Sequence, residues 1–217
     1  MTITIHECAH GYIAYKLGDS TAKYMGRLTL NPVKHIDPIG LILIMVIGFG
    51  WAKPVPINPR NFKNPKFGMA ISAAAGPVSN LLMAFIGVII YKIIWLVIIN
   101  AGLYEFTAGS VVFNPAAVSA SDFFELFALL NVWFAVFNMI PVPPLDGSRI
   151  VSYFLSPKMH YYYNYVERYG FLILILLLNL DRINRNLSFI WILQTFAGWI
   201  LSGIDFIISP VFKLFGG

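Results

Sequence analysis

Two histidines and a glutamate interrupt the apolar stretch I-T-I-H-E-C-A-H-G-Y-I-A-Y-K-L-G, residues 3–18. His6, Glu7 and His10 make the pattern H-E-x-x-H. If the stretch is helical, four residues turn the chain through about 400°, so His6 and His10 lie about 40° apart, one turn above the other. Both imidazoles can then reach one zinc ion. Glu7 sits about 100° from His6, near enough to take a proton from a zinc-bound water without being a ligand. Two imidazoles and a carboxylate base are what metal-assisted hydrolysis needs. Cys8 lies about 200° from His6 and points away. The rival reading is three buried polar residues hydrogen-bonded within a helix bundle. In a bilayer, ionisable side chains are costly and mark functional sites, which favours the metal.

A catalytic zinc takes a third protein ligand and keeps a position open for water. Most remaining candidates have a simpler role. Asp19 and Asp37 fit turns and caps, Asp122 and Glu125 a helix start, and Glu167 and Asp181 the ends of apolar segments. His35 stands in a polar loop beside Lys34, and His160 stands beside a run of tyrosines. Asp205, in the last apolar segment, competes. Asp146 is singled out by its context, P-V-P-P-L-D-G (residues 141–147), a non-helical stretch between apolar segments. Such backbone is tolerated at membrane depth only inside protein or against a cavity. Asp146 is either a fixed ligand or the N-cap of the next helix, and its own context does not choose between them.

These residues are carried by a chain whose composition indicates a membrane protein. Of its 217 residues 58% are hydrophobic and 12% charged, with a mean hydropathy of +0.73; about a quarter charged is usual for soluble domains. The net charge of +5 is scattered, with no basic-aromatic motif for nucleic acid. The single cysteine excludes an internal disulfide. The first segment carries His, Glu and His without a basic leader, so a cleaved signal is not expected.

Six apolar segments are expected. They are residues 2–17, 38–51, 67–100, 122–140, 166–180 and 187–211. The second is about 21 Å long as a helix, too short alone to cross a core about 30 Å thick, and is expected to tilt or re-enter. A strand-like G-R-L-T-L (residues 26–30) follows the first segment, and residues 103–121 are expected as a loop. Four prolines (Pro54, Pro56, Pro59, Pro65) keep the polar stretch from Ala52 to Pro65 extended. The third segment is expected to protrude from the bilayer or bend at Gly76-Pro77, and Lys92 within it to snorkel. The tyrosines at 161–163 and 165 fit an interfacial belt. The expected fold is an all-α polytopic integral membrane protein, with five to six membrane helices and short extended or re-entrant segments near the active site.

Several motifs resemble the site-2 protease family of intramembrane zinc metalloproteases. They are H-E-C-A-H near the start, A-G-P-V-S-N (residues 75–80) and N-M-I-P-V-P-P-L-D-G (residues 138–147). G-R-L-T-L-N-P-V-K-H-I-D-P-I-G and A-K-P-V-P-I-N-P-R extend the match over nearly the whole chain. It is similar to short prokaryotic members without a PDZ domain. The resemblance implies one domain, residues 1–217, in a prokaryotic cell membrane. It implies one zinc ion per chain held by His6, His10 and Asp146, with Glu7 as general base and Asn138 beside the scissile carbonyl as a hydrogen-bond donor. The other reading of Asn138 is an interhelical hydrogen bond. Asn80 and the small residues 72–76 suit close helix packing. Members carry more apolar residues before H-E-x-x-H, so the first helix is expected to be truncated or short.

The implied reaction is peptide hydrolysis in or near the membrane segment of a single-span protein or signal-peptide remnant. A helical substrate hides its carbonyls and must unwind first. The segment A-K-P-V-P-I-N is expected to pair with the unwound chain as an added strand. Two rival functions use similar residues: an ion-coupled transporter with buried His and Asp, and a non-catalytic scaffold that binds transmembrane helices. A scaffold needs no Glu7, and a transporter needs neither the H-E-x-x-H spacing nor a proline-fixed Asp146.

Overall fold

The computed structural model describes residues 1–47, 50, 52–107, 110–183 and 188–213. Trp51, at the end of the second apolar segment, and residues 184–187, around the start of the last, lie outside them. The chain is mainly helical. In order come α1 (Thr2–Lys16), α2 (Thr21–Tyr24), α3 (Pro38–Ile47), α4 (Pro65–Asn100), α5 (Pro115–Asn138), α6 (Asp146–Phe154), α7 (Pro157–Leu178), α8 (Leu180–Ile183) and α9 (Phe189–Lys213). Short 3-10 turns occupy Pro32–His35 and Pro59–Asn61.

Four helices begin on one device, a capping side chain followed by proline at the first helical position. Asp37 accepts from the Ile39 and Gly40 N–H groups, Asn64 from Phe67, Asn114 from Ala116 and Ala117, and Ser156 from Met159. Each cap satisfies N–H groups that have no partner within the helix, and proline has no N–H to lose there. Helix α5 therefore starts at Pro115 rather than at the apolar onset near Asp122, and α7 starts at Pro157 rather than near Val166. Residues 103–121 are not a plain loop. They hold a hairpin of β1 (Tyr104–Thr107) and β2 (Ser110–Phe113), antiparallel in the register Tyr104 to Phe113, and then the start of α5. Residues 26–30 form no strand; nearby, one isolated antiparallel bridge joins Ile36 to Ala52.

Helices α4, α5 and α9 are long and apolar enough to cross a membrane. Helix α4 runs unbroken through Pro77. It buries Gly68, Ser72, Gly76, Asn80 and Ala84, a stripe of mostly small residues four apart. That spacing keeps one face toward its neighbours, and small side chains let backbones approach closely within a bilayer. Helices α1 and α5 pack on α4. Ala84, Val132, Ala197, Ile204 and Ile208 form a core joining α4, α5 and α9. A second core, Ile140, Leu145, Leu174 and Leu193, ties the proline-rich turn after α5 to α7 and α9. Lys92 pairs with α9: its Nζ is 2.7 Å from Asp205 Oδ1 and 3.1 Å from Ser209 Oγ.

Candidate metal centre

Helix α1 places His6 and His10 one turn apart and buries both. Their Nε2 atoms are 3.0 Å apart. Asp146 Oδ2 lies 3.1 Å from His6 Nε2 and 3.3 Å from His10 Nε2. Among the described residues, these three side chains are the one group of histidine, cysteine or acid residues able to share a metal ion. Asp146 is the first residue of α6, so the non-helical stretch ends at Leu145, two residues earlier than the expected 147. Leu145 occupies the cap position, and no side chain caps the helix. The Asp146 carboxylate is thus spent on the histidines and not on a cap.

Two glycines permit this convergence. A Cβ on Gly76 would run into the ring atoms of His10 and His6, so only glycine lets α4 lie against the imidazoles. A Cβ on Gly147 would strike the Met139 carbonyl, so glycine lets α6 start hard against the end of α5.

Hydrogen bonds to the far ring nitrogens set the tautomers. His10 Nδ1 is 2.7 Å from the Ser72 carbonyl, and His6 Nδ1 is 2.5 Å from Asn80 Oδ1. Both partners are acceptors, so both Nδ1 atoms carry hydrogen and both Nε2 atoms present lone pairs. Asp146 Oδ2 is buried and has no hydrogen-bond partner. With both rings neutral, three acceptor atoms face one point, a set able to hold a cation. Zinc suits the donor set: ligands about 2.1 Å from a tetrahedral ion stand about 3.4 Å apart, a few tenths of an ångström beyond the separations found. Histidine ligands that donate their other N–H to an oxygen are the usual outer support of such an ion.

Glu7 is half-buried beside this group. Its Oε2 accepts the Val55 backbone N–H at 2.8 Å. The segment carrying Val55 is extended and held at both ends. The Lys53 N–H donates to the His35 carbonyl (2.9 Å), and Arg27 Nη2 donates to the Lys53 carbonyl (2.6 Å). The Asn58 N–H donates to Asp19 Oδ2 at 2.7 Å, and Asn61 Nδ2 donates to Asp19 Oδ1 at 2.6 Å. Burial alone would raise the Asp19 pKa, but hydrogen bonds from Thr21, Asn58 and Asn61 outweigh it and hold the carboxyl below the usual carboxylate range.

Asn138 stays outside the cluster. Its Nδ2 donates to the Phe134 carbonyl one turn back at 2.9 Å, leaving one amide hydrogen uncommitted there. The Phe134 ring meets His6 edge-on at 5.5 Å. Cys8 is not in the group. His35 bonds to the Thr29 carbonyl, His160 to Ser152, and Asp205 to Lys92. Sequence reasoning gave Asn80 and Ser72 only a packing role and missed their part as acceptors for the histidines. The polar Asn80 interrupting a small-residue stripe was the available signal for His6; Ser72 acts through its backbone carbonyl, which residue type does not mark. No motif pointed to the Val55 N–H.

The sequence model of peptidase family M50 matches residues 1–178. The Bacillus subtilis (strain 168) protein named "Putative zinc metalloprotease YwhC" is 44% identical over 177 residues, covering 82% of this chain and 76% of that protein. "Putative zinc metalloprotease Rip2" of Mycolicibacterium smegmatis is 26% identical over 190 residues, 85% of this chain and 66% of its own length. "Putative zinc metalloprotease MJ0611" of Methanocaldococcus jannaschii is 26% identical over 152 residues, 68% of this chain and 63% of its own. The chain thus spans just under two thirds of the last two. No solved structure is significantly similar to it.

Proposed function

The chain belongs to peptidase family M50, and we propose that it is an intramembrane zinc metalloprotease that hydrolyses a peptide bond in or near the transmembrane segment of a membrane-anchored substrate. A single-span protein or a signal-peptide remnant is the substrate class. In this reading residues 1–217 are one membrane-embedded domain in a prokaryotic cell membrane. Helices α1 and α7 and the α3 segment join α4, α5 and α9 within the bilayer, giving five to six membrane helices. One zinc ion per chain is held by His6, His10 and Asp146. The observation that carries this is the convergence of His6 Nε2, His10 Nε2 and Asp146 Oδ2 to within 3.3 Å of one another.

Zinc bound there would supply an acidified water molecule and a polarised substrate carbonyl. Glu7 receives the water's proton: the Val55 N–H occupies Oε2, which leaves Oε1 for it. The uncommitted Asn138 amide hydrogen serves the developing oxyanion. An unwound substrate meets residues 53–56 as acceptors only. Pro54 and Pro56 have no N–H, and the Lys53 and Val55 N–H groups are already bonded to His35 and Glu7. Strand addition there is therefore one-sided, with the substrate donating.

Purified protein should hold one zinc per chain and lose it in His6→Ala or Asp146→Ala. Glu7→Gln should keep zinc and lose cleavage of a transmembrane test substrate by at least about 100-fold. Cleavage that persists in Glu7→Gln sinks the mechanism. It would favour neither rival, because a transporter and a scaffold cleave nothing in any variant.

A further inference from the structure

Resting on that reading of His6, we propose that Asn131 is a positioning residue that sets the tautomer of His6 through Asn80, although it touches none of the proposed ligands. Both asparagines are fully buried. Asn131 Nδ2 is 2.8 Å from the Phe127 carbonyl, one turn back in α5, and 3.1 Å from Thr2 Oγ1. A backbone carbonyl only accepts, so that end of the Asn131 amide is the nitrogen. Its Oδ1 then faces Asn80 Nδ2 at 2.9 Å, which turns Asn80 Oδ1 toward His6 Nδ1. Each link forces the next, from a carbonyl in α5, through α4, to a lone pair on Nε2 in α1.

The two histidines differ in how they are oriented. His10 leans on the Ser72 backbone carbonyl, which cannot reverse its polarity. His6 leans on a primary amide, whose two ends are alike in shape and opposite in hydrogen bonding. Without Asn131 the Asn80 amide is free to turn over and offer N–H to His6. Nδ1 then accepts, the ring proton resides on Nε2, and the lone pair that would meet the metal is lost. An interhelical bond that only holds α4 to α5 would have no such preference for direction.

The test measures zinc affinity of the full chain in detergent by competition with a chromophoric chelator, with no substrate needed. Asn131→Leu should weaken zinc binding about 10- to 100-fold, the range for removing an outer support of a metal ligand. Adding Asn80→Asp to Asn131→Leu should restore affinity to within a few fold, because either carboxylate oxygen accepts from His6. If Asn131→Leu does not fold, Asn131→Ala decides in its place, with the same expected loss and the same expected restoration by added Asn80→Asp. Wild-type affinity in the Asn131 variant overturns the proposal, as does failure of added Asn80→Asp to restore it. Loss of the functional reading looks different, since wild type would then bind no zinc or His6→Ala would bind it undiminished.

Discussion

In the proposed reaction the Glu7 carboxylate has two tasks, accepting a backbone N–H through one oxygen and a proton through the other. The Val55 N–H holds Oε2 at 2.8 Å, so the Glu7 carboxylate is anchored by the main chain of another segment. Positioning of this kind acts on the chemical step more than on substrate binding. Val55→Pro removes the N–H and suits extended backbone between Pro54 and Pro56, while Val55→Ala keeps the N–H and trims the side chain. We expect Val55→Pro to lower kcat on the order of 10- to 100-fold with zinc content and KM retained, and Val55→Ala to stay near wild type. Equal losses in both variants would assign the effect to packing of the buried Val55 side chain. This contact was not legible in the sequence. Val55 is far from Glu7 along the chain, and backbone donors leave no mark in residue type.

At the scale of elements, α4 is the wall against which the site is built. Its buried face repeats every four residues, Gly68, Ser72, Gly76, Asn80 and Ala84, and two of these receive histidine N–H groups. The repeat was legible as a packing surface, because small residues at helical spacing say that something approaches closely. That imidazole rings approach at Gly76 was not, since spacing does not name the neighbour. Gly76→Ala favours helix locally by about 1 kcal/mol yet inserts a methyl group into both rings. We expect helix content by circular dichroism to be unchanged, while zinc affinity falls at least about 10-fold and cleavage falls with it. Zinc binding at wild-type strength would show that α1 can shift away from α4 without harm. Helix starts carry a related lesson. Asn114-Pro115 and Ser156-Pro157 open α5 and α7 before hydrophobicity rises, so cap chemistry locates these ends better than apolar content does.

Across the whole molecule, α9 is joined to the helices around the site by the core of Ala84, Val132, Ala197, Ile204 and Ile208 and by the Lys92–Asp205 pair. Both partners of that pair lie in helices able to span a membrane. Removing one leaves the other charge without its partner at 2.7 Å, and in a helix able to span a membrane that costs more than removing both. We expect Lys92→Met and Asp205→Leu each to lower the thermal midpoint in detergent. The double variant should recover part of the loss, with a coupling of about 1–2 kcal/mol. Additive losses would mean that the pair contributes nothing beyond its separate side chains.

Apolar composition, helical periodicity and the spacing that brings His6 and His10 to one face with Glu7 beside them were all legible in the sequence. These depend on composition and on spacing within one helix, where geometry follows from 3.6 residues per turn. The sequence also marked Asp146 as a candidate but left its role open, because a helix N-cap and a metal ligand look the same in a short motif. Only the tertiary structure decided that Asp146 meets the histidines, that Asn80 and Ser72 orient their rings, and that Val55 holds Glu7. Each of those contacts joins residues distant in the chain, and their distances are set by how α1, α4, α5 and α6 pack.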